Sequence, residues 1–150
     1  MNTVLKILKA HHIRTKIVEF KKSTHTAQQA ATSLKCDVSQ IAKSIIFVTS
    51  NKEPILVIVC GANRVNLELL GKVLNSTVTI ASSAFIKQET GYDVGGVPPF
   101  GHKTKLKTFI DRDLLEANKV YTSAGTSNSI FKIGTLELIE ITKAQIIQIK

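Results

Sequence analysis

Two short apolar segments, "SIIFV" at 44–48 and "ILVIV" at 55–59, constrain the fold more than any other feature of this chain. Both are rich in β-branched residues, as buried strands are. Between them, "TSNKEP" at 49–54 carries the serine, asparagine and proline that are typical of a turn. The pattern predicts a β-hairpin in the middle of a sheet.

Helical patterns lie on both sides of this hairpin. Thr3 is predicted to cap a helix in "TVLKILKAHH". Thr26 and Gln29 have the spacing of a capping box before an alanine-rich helix. Asn66 can cap "LELLGKVL", and Gly91 is placed to end a helix in "SSAFIKQETG".

The remaining strands are predicted from short apolar or alternating segments. These are "IRTKIVEF" at 13–20, "TVTIA" at 77–81, "LKTFID" at 106–111, "KVYTSAG" at 119–125 and "SIFKI" at 129–133. The segments "TLELIEIT" and "AQIIQI" fit helix or strand equally well. Because the order is mixed and not strictly alternating, we predict one α+β domain over 1–150, built on a mixed, curved β-sheet with flanking helices.

The composition indicates which kinds of molecule the protein is expected to bind. The net charge is +9 and the pI is near 9.7, so the protein should attract polyanions, of which nucleic acid is the obvious candidate. A basic surface that only aids solubility is the alternative. With six Phe, two Tyr and no Trp, a platform that stacks single-stranded bases is disfavoured.

Features that the sequence lacks argue against a membrane-spanning protein, a secreted protein, a disulfide framework and a metal site. Its apolar runs are far shorter than the roughly twenty residues of a membrane span, and no signal peptide is evident, so we expect a soluble, cytoplasmic protein. Cys36 and Cys60 lack the spacing of a disulfide framework or a zinc site, and the histidines form no ligand pattern. We therefore expect no metal and no cofactor.

The segment "GYDVGGVPPFGHKTK" at 91–105 concentrates glycine and proline. Gly96 and Gly101 approach the phosphate-binding pattern G-x-x-x-x-G-K-[ST], but His102 stands where the lysine should be. Pro98 and Pro99 also remove the N–H donors that a phosphate cradle needs. The segment predicts a rigid wall with a few free amides, or a surface loop that only turns a corner.

Two further features could carry chemistry. Lys43 directly precedes the most apolar strand, where its ammonium could support developing negative charge, although most such lysines only extend to solvent. Ser123, Ala124 and Gly125 form a small-residue patch that lets a ligand approach, or simply a turn. No G-x-S-x-G motif supports a covalent serine mechanism.

Taken together, these segments resemble the YbaK/EbsC family, the free-standing relatives of the editing domain of bacterial prolyl-tRNA synthetase. The resemblance covers nearly the whole chain. It rests on the order of "HTAQQAA", "QIAKSIIFV", "GYDVGGVPPFG", "FID" and "VYTSAG". It implies a barrel-like α+β fold and hydrolysis of mischarged aminoacyl-tRNA, mainly tRNA for proline, with prolyl-tRNA synthetase as a possible partner.

The resemblance also implies roles for individual residues. Lys43 would be the lysine essential for deacylation. The substrate-binding residues would be His25, Thr26, Gly95, Gly96, Val97, Pro98, Pro99, Gly101, His102, Asp111, Ser123, Ala124 and Gly125. Lys103, Lys105 and Lys107 could contact the acceptor stem.

The amino acid that is removed stays open at this stage. Members of the family carry "AGxRG" where this chain has "AGTSNS". Two other functions also stay open: a non-catalytic tRNA-binding or synthetase-associated module, and a nucleotide-phosphate binder.

Overall fold

The computed structural model describes residues 2–21 and 26–150 of the chain. Within these residues the helices are α1 (Thr3–Ala10), α2 (Ala27–Leu34), α3 (Leu67–Leu74), α4 (Ser83–Thr90) and α5 (Thr135–Thr142). The strands are β1 (Val18–Glu19), β2 (Ala42–Thr49), β3 (Pro54–Cys60), β4 (Val78–Ile80), β5 (Lys107–Asp111), β6 (Lys119–Ser123), β7 (Ser129–Gly134) and β8 (Gln145–Ile147). Short 3₁₀ helices lie at Val38–Gln40 and Arg112–Glu116.

The predicted hairpin is confirmed and forms the centre of a five-stranded sheet. β2 and β3 are antiparallel, and the strand order is β4-β2-β3-β5-β8. β5 runs parallel to β3, and β8 runs parallel to β5. Because every residue from Ile55 to Val59 is fully buried, both faces of this sheet are covered.

The pleat of β3 divides the core into two clusters. Leu56 and Ile58 face the larger cluster, which includes Phe131 of the second sheet. Val57 and Val59 face the smaller cluster, with Leu70 of α3 among its members. Side chains of one strand therefore support two separate apolar layers.

The second sheet has three strands in the order β1-β7-β6, and all its pairs are antiparallel. A single parallel bridge between Ile41 and Tyr121 connects it to the start of β2. The α+β class with a mixed sheet is confirmed, but the expected barrel-like closure is wrong, because the strands form two sheets that do not close on each other. β1 and β4 are too short to complete such a barrel.

Cap residues begin and end the helices largely as predicted. Thr26 Oγ1 accepts a hydrogen bond from the Gln29 amide, and Asn66 caps α3. Gly91, at a φ of 83°, ends α4. The cap of α1 is Asn2 and not Thr3, because the Asn2 side chain accepts from the amides of Val4 and Leu5 while Thr3 already lies inside the helix.

The secondary structure of two parts of the chain is decided by tertiary contacts and not by local sequence. Only Val18–Glu19 of the strand predicted at 13–20 pairs with β7, whereas Ile13 and Ile17 pack against the larger core cluster. The ambiguous C-terminal segments form α5 and then β8. Within the described ranges, no helix is long and apolar enough to cross a membrane.

Candidate functional site

A cavity of about 450 Å³ lies where the two sheets meet. It is lined by the start of α2, the first half of β2, the end of β4, α4, the glycine-rich loop, β6, the loop after β6 and the start of β7. Of the residues predicted for the site, those that line it are Thr26, Lys43, Gly95, Val97 and Ser123. His25 lies outside the described residues.

One wall of the cavity is an unpaired edge of β2. β4 pairs with β2 only at Phe47–Thr49, and the Ala81 amide adds one hydrogen bond to the Ile46 carbonyl at 3.1 Å. The bridge from Tyr121 of β6 is made to Ile41, directly before β2. Since main-chain carbonyls alternate along a strand, the carbonyl of Ser44 faces the same edge as that of Ile46, and no strand of the described residues is paired with it there. The cavity thus offers backbone hydrogen-bonding groups to a ligand.

Lys43 and Ser44 reach this edge from opposite faces of the sheet. Lys43 pairs in register with Val59 and so lies on the side of the smaller core cluster, whereas Ser44 lies between Ala42 and Ile46 on the side of the larger one. Both residues line the cavity. A ligand at the edge can therefore contact a cation on one side and a hydroxyl on the other.

The surroundings of Lys43 favour binding of an anion. Burial lowers the pKa of its ammonium, and the nearby positive charge of Arg64 lowers it further, whereas Cys60 and Asp111 act in the opposite direction. Among the described residues, no carboxylate forms a salt bridge with Lys43 or Arg64. Arg64 was missed by the sequence reasoning, since it lies in a loop 21 positions further along the chain.

The glycine-rich loop is folded by its own hydrogen bonds. The Gly96 amide donates to the Asp93 carbonyl at 3.0 Å, and Gly95 occupies the third position of this turn at a φ of 84°. A type II turn needs a positive φ there, which favours glycine. A side chain on Gly96 would come within 2.9 Å of the Thr126 backbone, so this glycine permits close packing between the two loops.

Pro98, Pro99, Gly101 and His102 lie behind the cavity wall and not in its lining. The His102 Nε2 atom is 2.6 Å from the Pro98 carbonyl oxygen, and burial lowers the pKa of His102 although this hydrogen bond opposes the shift. Gly101 packs against α1, since an added Cβ would lie 3.2 Å from Ile7. The loop continues into β5 and not into a helix N-terminus, so it lacks the second half of a phosphate cradle.

The loop after β6 contributes Ser123 to the lining but holds its hydroxyl internally. Ser123 Oγ donates to the Thr126 carbonyl and accepts from the Gly125 amide. Ala124 is fully buried, and its carbonyl accepts from the Asn2 side chain that caps α1. Gly125, at a φ of 115°, packs against the Tyr92 ring. Ala124 and Gly125 thus shape the wall from behind.

Asp111 lies at the end of β5, away from the lining. Its buried carboxylate accepts hydrogen bonds from the Cys60 amide at 3.0 Å, the Asn63 side chain at 2.8 Å and the Asp113 amide at 3.0 Å. Asn63 in turn contacts Lys150. In this structure Asp111 joins three chain segments and acts on Lys43 only through its charge.

Two lining hydroxyls were also missed by the sequence reasoning. Ser44 Oγ and Thr122 Oγ1 are buried, and neither has a hydrogen-bond partner in the part of the chain that is described. Both are neighbours of predicted residues, Lys43 and Ser123. Strand alternation could have separated the inward from the outward residue, but only after the strand and its buried face were known.

The rim of the cavity is partly apolar. Ile80 and Val94, which both contribute to the lining, are 66% and 57% exposed. Lys103 and Lys105 are exposed, and they do not line the cavity. Within residues 2–21 and 26–150, no group of three histidine, cysteine or acidic residues is arranged to hold a metal ion.

Comparison with known proteins connects this site to a family. Residues 21–141 match the model of the aminoacyl-tRNA editing domain. YwhH from Bacillus subtilis (strain 168) is 26% identical over 87% of this chain and 83% of its own length. The proline–tRNA ligase of Lactobacillus helveticus (strain DPC 4571) is 29% identical over 75% of this chain, which spans only 20% of that ligase.

A solved structure agrees over nearly the whole chain. It is described as a candidate trans-editing enzyme for prolyl tRNA synthetase. The TM-score is 0.92 and the identity is 34%, with 99% of this chain and 94% of the other covered. The segment matched by the family model contains every element that lines the cavity.

Proposed function

Because the chain belongs to the aminoacyl-tRNA editing domain family, we propose that it is a single-domain trans-editing deacylase that hydrolyses mischarged tRNA, most of all tRNA for proline. The observation that carries this proposal is the open edge of β2, where main-chain groups, Lys43 and the glycine-rich loop meet in one cavity. Such a cavity can hold an aminoacyl ester without a covalent nucleophile.

Water is the nucleophile in this proposal. An aminoacyl ester is already activated and has a neighbouring ribose hydroxyl, so no protein base of the triad type is required. Gly95 and Val97 line the cavity, and their amides donate no hydrogen bond to any described residue. They are therefore available to the ester carbonyl, whose oxygen becomes negative as water adds. The Gly96 amide is already bound within the turn.

The terminal nucleotide is assigned to the face of the sheet that carries Lys43. Lys43 and the nearby Arg64 form no salt bridge among the described residues, and a phosphate oxygen would offset the cost of burying the Lys43 ammonium. The exposed side chains of Ile80 and Val94 can then contact the apolar parts of the nucleoside. These contacts would hold the ester bond over the free amides.

A deacylation panel tests the function directly. Purified protein is incubated with tRNA for proline carrying alanine, serine, threonine, cysteine or proline, and the remaining ester is measured against spontaneous hydrolysis. We expect faster loss of at least one mischarged ester and no acceleration for proline. Binding of tRNA without hydrolysis of any ester would favour the non-catalytic tRNA-binding or synthetase-associated module, which the net charge of +9 also suits.

Blocking the amino group of the substrate should slow hydrolysis. The Ser44 carbonyl at the β2 edge can accept a hydrogen bond from the α-ammonium group of the aminoacyl ester. Acetylation removes this charge and adds bulk, and a charged hydrogen bond is worth about 1.5–3 kcal/mol. We expect N-acetylaminoacyl-tRNA to react about 10- to 100-fold more slowly, after each rate is divided by that of the same substrate in alkali. Equal normalised rates would contradict this contact.

Binding of tRNA should weaken as salt rises. If Lys103 and Lys105 each neutralise one phosphate, replacing both with glutamine should reduce the slope of log K against log salt by about 1.5 to 2. The control replaces Lys72 and Lys143, two other exposed lysines, and should change the slope less. Equal changes in the two double variants would remove Lys103 and Lys105 from the interface.

A further inference from the structure

The hydroxyls of Ser44 and Thr122 pose a physical problem inside the cavity. Buried polar side-chain atoms in proteins are nearly always hydrogen-bonded, yet neither of these has a partner among the described residues. Thr122 is only 1% exposed. Because both residues line the cavity, a bound ligand is the group placed to satisfy them.

The two hydroxyls come from adjacent strands. The bridge between Ile41 and Tyr121 sets the start of β2 beside β6. Ser44 lies between Ala42 and Ile46, whose side chains face the larger core cluster, and Thr122 lies between the buried Val120 and Ala124 of that same cluster. Both side chains therefore point toward the interior side of the cavity.

Much of the remaining interior surface is apolar, and the hydroxyl of Ser129, which also lines it, is already hydrogen-bonded to Thr126. The neighbouring lining residues Ile46, Ala81, Ile86 and Val97 are buried hydrophobic side chains. A polar pair in an apolar pocket fixes the orientation of a ligand and discriminates between ligands. The ligand group that fits here is small and carries a hydrogen-bond donor and acceptor at one position.

We propose that Ser44 and Thr122 select serine or threonine as the amino acid to be removed, by hydrogen bonds to its side-chain hydroxyl. This inference rests on the proposed deacylase function. One substrate hydroxyl can donate to one of the two residues and accept from the other. Alanine would leave both residues unpaired, and so would 2-aminobutyrate, which has a methyl group where serine has its hydroxyl.

The two faces of β2 give the substrate one orientation. With the terminal nucleotide held near Lys43 and the α-ammonium at the Ser44 carbonyl, the amino-acid side chain lies on the Ser44 side of the sheet. Proline has no side-chain donor or acceptor for the two hydroxyls and no primary amine. A site built to hydrogen-bond a hydroxyl therefore rejects the cognate amino acid without needing a smaller cavity.

The test compares substrates of equal size. Single-turnover rates are measured for tRNA for proline carrying serine or 2-aminobutyrate, and for the same tRNA carrying threonine or valine. We expect the hydroxylated member of at least one pair to react about 10-fold faster or more in the wild-type protein. The Ser44→Ala and Thr122→Val variants should bring that ratio to within about 3-fold of unity, mainly by slowing the hydroxylated substrate.

Control variants separate recognition from folding. Thr79→Val makes the same chemical change at an exposed residue of β4 outside the lining and should keep the wild-type ratio. Thr122→Ser retains the hydroxyl and should keep the preference even if the smaller side chain lowers stability. Thermal unfolding of each variant shows whether a lost rate reflects a lost fold.

The outcomes distinguish this inference from the proposed function. If wild-type protein hydrolyses serine and 2-aminobutyrate esters equally, and threonine and valine esters equally, the deacylase function stands and the selection by hydroxyl is overturned. Selection is also overturned if both variants keep the wild-type ratio. If no ester is hydrolysed while the protein is folded and binds tRNA, the proposed function itself fails, and the inference with it.

Discussion

Replacing Lys43 with alanine is expected to lower kcat/KM for deacylation by about 100-fold or more. The ammonium is partly buried beside the open edge of β2 and forms no salt bridge within the described residues, so a phosphate of the bound substrate is the anionic partner that we propose for it. Truncating one partner of a buried, hydrogen-bonded charge pair costs about 2–5 kcal/mol, a range that includes this factor. The measurement is single-turnover hydrolysis of the best substrate from the panel.

The dependence on pH gives this prediction a second readout. Since burial and Arg64 lower the pKa of Lys43, its charge is lost at a lower pH than that of an ordinary lysine. The enzymatic acceleration over spontaneous hydrolysis should therefore decline as pH rises through that lowered pKa. Lys43→Arg keeps its charge and should lose this decline, although its larger head group lowers the rate.

A control and a contradicting result complete the experiment. Lys143→Ala removes an exposed lysine between α5 and β8 and should leave kcat/KM within about 2-fold of wild type, as expected for exposed charges. Equal rates for the wild type and the Lys43→Ala variant would remove Lys43 from the mechanism. If the Lys43→Arg variant shows the same decline of enzymatic acceleration at high pH, that decline is caused by another titrating group.

Replacing Asp111 with alanine is expected to lower the free energy of unfolding by about 3 kcal/mol. The substitution removes the acceptor for the Cys60 amide, the Asn63 side chain and the Asp113 amide, and each buried donor left unpaired costs about 1–3 kcal/mol. For a chain of this size the melting temperature should fall by about 6 to 12 °C. Thermal and denaturant unfolding measure the effect.

This result separates two roles for Asp111. The family resemblance implies a substrate-binding residue, whereas the structure places its carboxylate in a buried network outside the cavity lining. Glu116→Ala, at an exposed acidic residue, should change stability by less than about 0.5 kcal/mol. An unchanged melting temperature with a raised KM in the Asp111→Ala variant would restore the direct binding role.

Local sequence signals predicted the fold well wherever a few neighbouring residues decide the structure. The hairpin of β2 and β3, the caps at Thr26 and Asn66 and the end of α4 at Gly91 are all of this kind. The number of sheets was not predictable in this way. It depends on which strands pair across long separations, such as β1 with β7, and hydrophobic pattern alone does not specify those partners.

For the candidate site, too, some features could be predicted from the sequence and others could not. Lys43, the glycine-rich loop and Ser123 line one cavity, but the direction of each side chain depends on the pleat and on the packing of loops, which local sequence does not show. Pro98 and His102 shape the loop from behind, although the family resemblance implied that they bind the substrate. Ser44 and Thr122 were overlooked because single hydroxyls in strands carry no motif, and only their burial without partners distinguishes them.

The unpaired stretch of β2 also bears on the resistance of this protein to aggregation. A free strand edge is a template on which another chain can add a strand and begin to aggregate. Here β6 touches β2 at Ile41, and Ala81 bonds to Ile46, so both ends of the opening are blocked. A typical strand has about five or six residues and does not fit between these limits. The opening is therefore too short to pair with a second strand of typical length.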